Sequence, residues 1–178
     1  LKIKEGEFFG LLGPNGAGKT TTINILTTLL EPTEGKVSIA GLDVFKEKKW
    51  VRKKIGVVFQ DSALDEYLTA KENLFFHSFL YKIDLKKEEK IQNILELVEL
   101  TAWENVLVKN FSSGMKRRLE IARAFLHHPK ILFLDEPTIG VDIHTRRKIW
   151  DYLKKLNREE GITIFLTTHY MEEADYLC

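Results

Sequence analysis

Short apolar runs alternate along the chain with segments in which apolar residues recur every three or four positions. The runs predict strands at EFFGLLG (7–13), KVSIA (36–40), IGVVF (55–59), ILFLD (131–135) and ITIFLTT (162–168). The periodic segments predict helices over 19–30, around Trp50, and over 70–82, 86–100, 113–127 and 142–160. Alternating strands and helices are typical of an α/β fold with a mainly parallel sheet.

No strand pattern appears between residue 61 and about residue 110, so this part predicts an inserted helical subdomain. We therefore predict one domain over 1–178, in which 1–60 and 119–178 form the core and 61–118 the helical subdomain. The chain begins inside a strand-like pattern and ends inside a helix-like pattern. We expect it to be most of a domain rather than all of one.

Composition narrows the possible function classes. The chain has 178 residues, and its 27 basic and 26 acidic residues leave a formal charge of +1. That balance does not support a broad nucleic-acid-binding surface. The single cysteine excludes an internal disulfide and fits a reducing compartment. No apolar run approaches the roughly 20 residues of a membrane-spanning helix, so we expect another chain or segment to supply any membrane part.

The stretch GPNGAGKT matches the phosphate-binding pattern G-x-x-x-x-G-K-[ST], between a predicted strand and a predicted helix. Its members are Gly13, Pro14, Asn15, Gly16, Ala17, Gly18, Lys19 and Thr20. Glycines allow backbone N–H groups to point at phosphate oxygens, and the helix N-terminus adds positive potential. Lys19 is predicted to reach the β- and γ-phosphates, Thr20 to bind Mg²⁺ and Thr21 to bind the α-phosphate.

The run ILFLD reads as a buried parallel strand that ends in Asp135, and Glu136 follows. Ligands of parallel sheets bind at the carboxyl ends of the strands. Asp135 is therefore predicted to hold Mg²⁺, and Glu136 to orient or deprotonate the attacking water.

A phosphate-binding loop, a helical insertion, the stretch FSSGM (111–115) and an apolar strand ending in Asp-Glu follow in that order. This order resembles the ATP-binding cassette (ABC) domain over nearly the whole chain. FSSGM stands where that family has L-S-G-G-Q: Ser112 and Gly114 are retained, whereas Phe111, Ser113 and Met115 depart from it. Ser112 is also a good helix N-cap residue. The resemblance implies an ATPase with a P-loop NTPase core of mainly parallel sheet and an inserted α-helical subdomain.

The resemblance also implies roles for single residues. Two cassettes would enclose two Mg·ATP, and Ser112–Met115 of one chain would bind the γ-phosphate at the P-loop of the other. Gln60 resembles the glutamine that contacts Mg²⁺ or the attacking water, and His169 resembles the histidine that binds the γ-phosphate. Asp142 resembles an acid at the dimer interface, which Asn15 of the partner could face.

The stretch around FSSGM and the stretch TIFLTTHYMEEAD look most like ATPase subunits of daunorubicin-resistance-type exporters. This likeness implies ATP-driven export with a separate transmembrane permease, at the cytoplasmic face of the membrane. One alternative is a cassette ATPase that acts on nucleic acid or ribosomes, but the insertion is short and lacks heptads. We expect no nucleic-acid partner. Another alternative is a degenerate cassette that binds ATP without hydrolysing it. The presence of both Glu136 and His169 argues against that alternative.

The helix predicted over 70–82 carries the aromatic residues Phe75, Phe76, Phe79 and Tyr81. We expect them to pack mainly in the core. The alternative is a groove for a cytoplasmic helix of the transmembrane partner.

Overall fold

The computed structural model describes residues 1–83 and 88–178. The strands are β1 Phe8–Leu12, β2 Ser38–Ile39, β3 Leu42–Asp43, β4 Ile55–Val58, β5 Ile131–Asp135 and β6 Thr163–Thr168. The helices are α1 Lys19–Leu26, α2 Lys48–Arg52, α3 Ala70–Leu80, α4 Glu88–Leu97, α5 Ser113–Phe125, α6 Ile143–Glu160 and α7 Met171–Leu177. Two short 3₁₀ turns, Thr101–Trp103 and Val108–Asn110, lie between α4 and α5.

Four strands form one parallel sheet in the order β1-β6-β5-β4. The central strands β5 and β6 are almost entirely buried, as continuous apolar runs in parallel sheets should be. Leu132 and Leu166 pack in the core that includes α5 and α6, whereas Phe133 and Phe165 face a second core that includes Ile23 of α1. Helices thus cover both faces of the sheet, and the predicted α/β class is confirmed.

The strand predicted at KVSIA forms over only two of its five residues and lies outside the parallel sheet. Only Ser38–Ile39 is extended, and it pairs antiparallel with Leu42–Asp43 in a separate two-stranded sheet. The chain reverses at Ala40 and Gly41, whose φ values are 50° and 80°. A left-handed pair of this kind is typical of a two-residue hairpin turn.

Most predicted helices form, but several end earlier than predicted. Helix α1 stops at Leu26 rather than residue 30, because the Thr27 hydroxyl donates to the Ile23 carbonyl and Thr28 has a φ of 70°. Helix α4 stops before Glu99, where φ is 56°, and its predicted first residues, 86 and 87, lie outside the described residues. Helix α5 stops at Phe125 instead of 127, and it runs across the boundary predicted between residues 118 and 119.

The aromatic residues of α3 do not lie in the core, so the preferred prediction for them was wrong. Phe75, Phe76 and Phe79 are 55%, 59% and 74% exposed, and Leu80 and Tyr81 beside them are exposed too. The buried face of α3 is formed instead by smaller side chains, among them Ala70, Leu74 and Ser78. We call Phe75, Phe76, Phe79 and Leu80 the aromatic surface of α3. Over the described residues, no helix combines the length and the apolarity needed to cross a bilayer.

Candidate active site

The loop from Gly13 to Gly18 connects β1 to α1 and surrounds the Lys19 side chain. Gly16 and Gly18 have φ values of 82° and 87°, which residues with a Cβ atom rarely adopt. No side chain caps the N-terminus of α1, so N–H groups of its first turn remain available to an oxygen-rich ligand. Thr20 and Thr21 are exposed in that turn. The loop therefore has the geometry of an anion site.

Lys19 is buried, and its ammonium group is held at three points. Nζ donates to the carbonyls of Gly13 at 2.8 Å and Pro14 at 3.1 Å, and it lies 3.0 Å from Glu136 Oε1. The side chains of Lys19 and Glu136 are only 6% and 7% exposed. The structure thus brings together the lysine of the glycine-rich loop and the carboxylate that follows β5, as the sequence predicts.

The Glu136 carboxylate also contacts His169, through its second oxygen and the ring Nδ1. Glu136 has a φ of 48°, a left-handed conformation that costs free energy in a residue other than glycine. Its N–H donates to the carbonyl and the hydroxyl of Thr167 on β6, each at 3.1 Å. These contacts fix the side chain between α1 and the carboxyl end of the sheet.

Asp135 is buried at the end of β5 and accepts a hydrogen bond from the Thr167 hydroxyl. Thr167 therefore contacts both acids, although no role was predicted for it. A threonine at the end of an apolar strand carries no signal of such a contact, because its partners lie on the neighbouring strand.

Arg117 is a second residue that sequence reasoning missed. Its guanidinium is buried, pairs with Glu120 at 2.8 Å, and donates to the carbonyls of Phe59, Gln60 and Glu136 at 2.7, 3.4 and 3.3 Å. It connects α5 with the loop after β4 and with the residue after β5. The basic run KRR predicts a charged helix face, and only the fold supplies these three backbone acceptors.

Three other predicted site residues, Gln60, Asn15 and Asp142, are exposed. Gln60 follows β4, which ends at Val58 rather than at Phe59, and only its backbone carbonyl contacts Arg117. Asp142 caps α6 by accepting from the N–H groups of His144 and Thr145, at 3.1 and 3.0 Å. Hydrogen bonds from Thr145 and His144 hold the pKa of Asp142 below its usual value.

The FSSGM stretch forms the N-terminus of α5, and Ser112 is its N-cap, as predicted. The Ser112 hydroxyl accepts from the N–H of Met115 at 3.2 Å. Ser112 and Ser113 are exposed, Met115 is partly buried and Gly114 is buried. A Cβ atom on Gly114 would lie 2.0 Å from Thr145 Cγ2. Glycine at this position therefore permits α5 to pack on α6 of the same chain, a requirement that the sequence did not reveal.

Comparisons with known proteins agree with this geometry. The family described as "ABC transporter" matches residues 1–139. The chain is 44% identical to the linearmycin resistance ATP-binding protein LnrL of Bacillus subtilis, covering all of this chain and 57% of that protein. It is 43% identical to the Nod factor export ATP-binding protein I of Rhizobium etli, covering all of this chain and 56% of that protein. It is 40% identical to a daunorubicin resistance ATP-binding protein of Streptomyces coeruleorubidus, covering 99% of this chain and 56% of that protein. The chain thus spans little more than half the length of these relatives.

Solved structures show the same fold. A dimeric ATP-binding cassette bound to ADP and Pi in a post-hydrolysis state superposes with a TM-score of 0.86 at 36% identity, covering 99% of this chain and 80% of that chain. The protein cbiO1 of Clostridium perfringens, described as part of the ABC transporter complex cbiONQ, superposes with a TM-score of 0.87 at 29% identity. That match covers all of this chain and 73% of cbiO1.

Proposed function

This chain belongs to the ABC transporter family, and on that premise we propose that it hydrolyses ATP to drive export across a membrane. The observation that carries the proposal is the buried Glu136 carboxylate in contact with both Lys19 and His169. It places a potential proton acceptor, a fixed positive charge and an imidazole at one point beside the phosphate-binding loop. These groups are the ones that phosphoryl transfer to water requires.

In the proposed reaction, water attacks the γ-phosphorus in line with the bond to the leaving oxygen of ADP. Glu136 accepts a proton from that water as the new P–O bond forms and the bond to ADP breaks. Lys19 exchanges its contact with Glu136 for the β- and γ-phosphate oxygens, which leaves the carboxylate free to bind water. His169 donates a hydrogen bond to the γ-phosphate, where negative charge is concentrated in the transition state.

The residues present fit a Mg²⁺ ion as companion of ATP. Mg²⁺ prefers oxygen ligands, and the chain offers the Thr20 hydroxyl, the Asp135 carboxylate and the Gln60 amide oxygen. The Thr167 hydroxyl already orients Asp135 through a hydrogen bond, and metal-binding carboxylates are commonly oriented in this way by a neighbouring residue. The ion, when bound, would neutralise phosphate charge, while Asp135 and Thr20 hold its position.

A second cassette would complete the site. Ser112, Ser113, Gly114 and Met115 are at the exposed start of α5, where a capped helix N-terminus can bind the γ-phosphate held by a partner. Asp142 and Asn15 are exposed and would lie at the same interface. The solved relative that is dimeric with ADP and Pi supports this arrangement of two chains.

The transport partner would be a separate membrane subunit, with the cassette at the cytoplasmic face of the membrane. The aromatic surface of α3 supports this proposal, because contiguous exposed aromatic residues mark interaction sites. The relatives named for drug resistance and Nod factor export favour transport over action on nucleic acid or ribosomes. A drug, a lipid or a similar compound would be the cargo.

The replacement Glu136→Gln tests the proposal in the intact subunit with its membrane partner. Glutamine keeps the shape of the side chain but cannot accept a proton, so we expect the ATPase rate to fall by about 10²–10⁴-fold. ATP binding should persist, and a stable ATP-bound dimer should accumulate in size-exclusion chromatography. Glu172→Gln, on the exposed start of α7, is the matched control and should keep full turnover. Turnover by Glu136→Gln within twofold of the parent would refute the assigned role.

A further inference from the structure

Glu173 is a carboxylate that the proposed reaction does not use, and it has no exposure to solvent. One of its oxygens, Oε1, accepts hydrogen bonds from the Thr138 hydroxyl at 2.8 Å and from the Trp150 indole N–H at 2.7 Å. The other, Oε2, is buried without a hydrogen-bond partner among the described residues. Burying a carboxylate with an oxygen unsatisfied is unfavourable for folding. Stability alone therefore does not explain this residue.

One donor to Glu173 lies in the segment that follows the proposed base, and the other lies on α6. Thr138 is two residues after Glu136, in the segment 137–142 that ends at Asp142, the N-cap of α6. Trp150 lies on α6, and Glu173 lies in the first turn of α7, four residues after His169. The Glu173 carboxylate thus joins the segment after Glu136 to the helix after His169.

Arg146 of α6 provides a second link between segment 137–142 and the start of α7, and this link includes the neighbour of His169. The Arg146 guanidinium lies 4.0 Å from the centre of the Tyr170 ring and donates to the Val141 carbonyl at 3.4 Å. The Tyr170 ring in turn lies 4.0 Å from the centre of the His169 ring. Both ends of segment 137–142 are therefore fixed against the start of α7.

We infer that Glu173 is a positioning residue for ATP hydrolysis, holding segment 137–142 against α7 and so fixing Glu136 relative to His169. The left-handed conformation of Glu136 makes such support necessary, because a strained backbone persists only where its surroundings over-determine it. The inference rests on the roles proposed above for Glu136 and His169.

The test removes the donors to Glu173 and leaves the phosphate-binding loop untouched. In the intact subunit with its membrane partner, Thr138→Val deletes the hydroxyl at nearly constant volume, and Thr138→Ser retains it. We expect Thr138→Val to lower kcat about tenfold with the dissociation constant for ATP within twofold of the parent, and Thr138→Ser to restore kcat. Trp150→Phe removes the other donor and should lower kcat in the same way, which gives a second variant if the first folds poorly.

The outcomes separate positioning from structural support. A lower thermal midpoint with unchanged kcat per folded molecule in both variants would overturn the inference, and so would a parallel loss of ATP affinity. The Glu136→Gln variant is measured alongside. If it is inactive while Thr138→Val and Trp150→Phe are fully active, only the inference about Glu173 fails. If Glu136→Gln keeps its turnover, the proposed catalytic role itself fails.

Discussion

Gly114 shows how one residue can satisfy two requirements. The resemblance implies that Gly114 belongs to the stretch that binds the γ-phosphate at the P-loop of a partner cassette. In the structure the Cα of Gly114 faces Thr145 of the same chain, so that α5 and α6 approach closely where both begin. Each helix start carries a predicted interface residue, Ser112 on α5 and Asp142 on α6. The glycine therefore also sets the distance between the two segments that we propose to lie at the interface.

Gly114→Ala should destabilise the protein by about 1–3 kcal/mol, because the new methyl group would overlap Thr145 Cγ2. Thr145→Ser removes that methyl group, and the nearest atom to the new Cβ becomes Thr145 Cβ at 3.4 Å. The double variant should recover most of the lost free energy of unfolding in chemical denaturation. Thr145→Ser alone is the control. Equal destabilisation of the single and the double variant would contradict the packing explanation.

At the scale of elements, α3 and α5 enclose two histidines that the proposed reaction does not use. His77 of α3 and His127 after α5 line a cavity of about 320 Å³ with Tyr81 and Arg123. Burial, with the charges of Arg123 and His127, lowers the pKa of His77 to about 4. Burial also lowers the pKa of His127, although its hydrogen bond to the Ile55 carbonyl opposes the shift.

These pKa values make stability depend on pH. Between pH 6.5 and about pH 4 the unfolded chain binds a proton at His77 that the folded chain does not bind, so the free energy of unfolding falls as pH falls. Above pH 6.5 this loss is absent. His77→Gln should flatten the decline in urea denaturation over that range, whereas His144→Gln on the exposed start of α6 should not. Parallel curves for the parent and His77→Gln would show that His77 does not contribute.

The sequence predicted elements best where the signal is local. The phosphate-binding loop, β5 and the start of α5 each depend on neighbouring residues, and all three form as predicted. Lys19, Glu136 and His169 could be predicted to meet because parallel strands place their carboxyl ends at one edge. The contacts of Arg117 with three backbone carbonyls and of Thr167 with Asp135 could not, since no motif marks either residue. The aromatic residues of α3 were expected mainly in the core, because the sequence pattern does not distinguish an apolar residue of the core from one at an interface with another protein.

At the scale of the whole molecule, Arg117 connects parts that the chain separates by many residues. Its guanidinium contacts the carbonyls that follow β4 and the carbonyl of Glu136, while Glu120 balances its charge. The helical part of the chain is thereby coupled to the proposed catalytic residue through hydrogen bonds rather than apolar packing alone.

Arg117→Met should lower the free energy of unfolding by about 3–5 kcal/mol, since it leaves Glu120 buried and unpaired. Adding Glu120→Gln removes the uncompensated charge and should restore part of the loss. Lys116→Met at the neighbouring position breaks an exposed pair with Glu66 and should cost under about 1 kcal/mol. Denaturation with guanidinium chloride measures all three. A cost for Arg117→Met as small as that for Lys116→Met would contradict the coupling.

The aromatic surface of α3 has a consequence for the cell that makes this protein. If the proposed membrane subunit covers this surface, copies in excess of that subunit leave the phenylalanine side chains in water and would aggregate or be degraded. Synthesis of the two polypeptides must then be matched in amount. Overproducing the cassette by itself should yield inclusion bodies, and coexpressing the proposed membrane subunit in equal amount should reduce them.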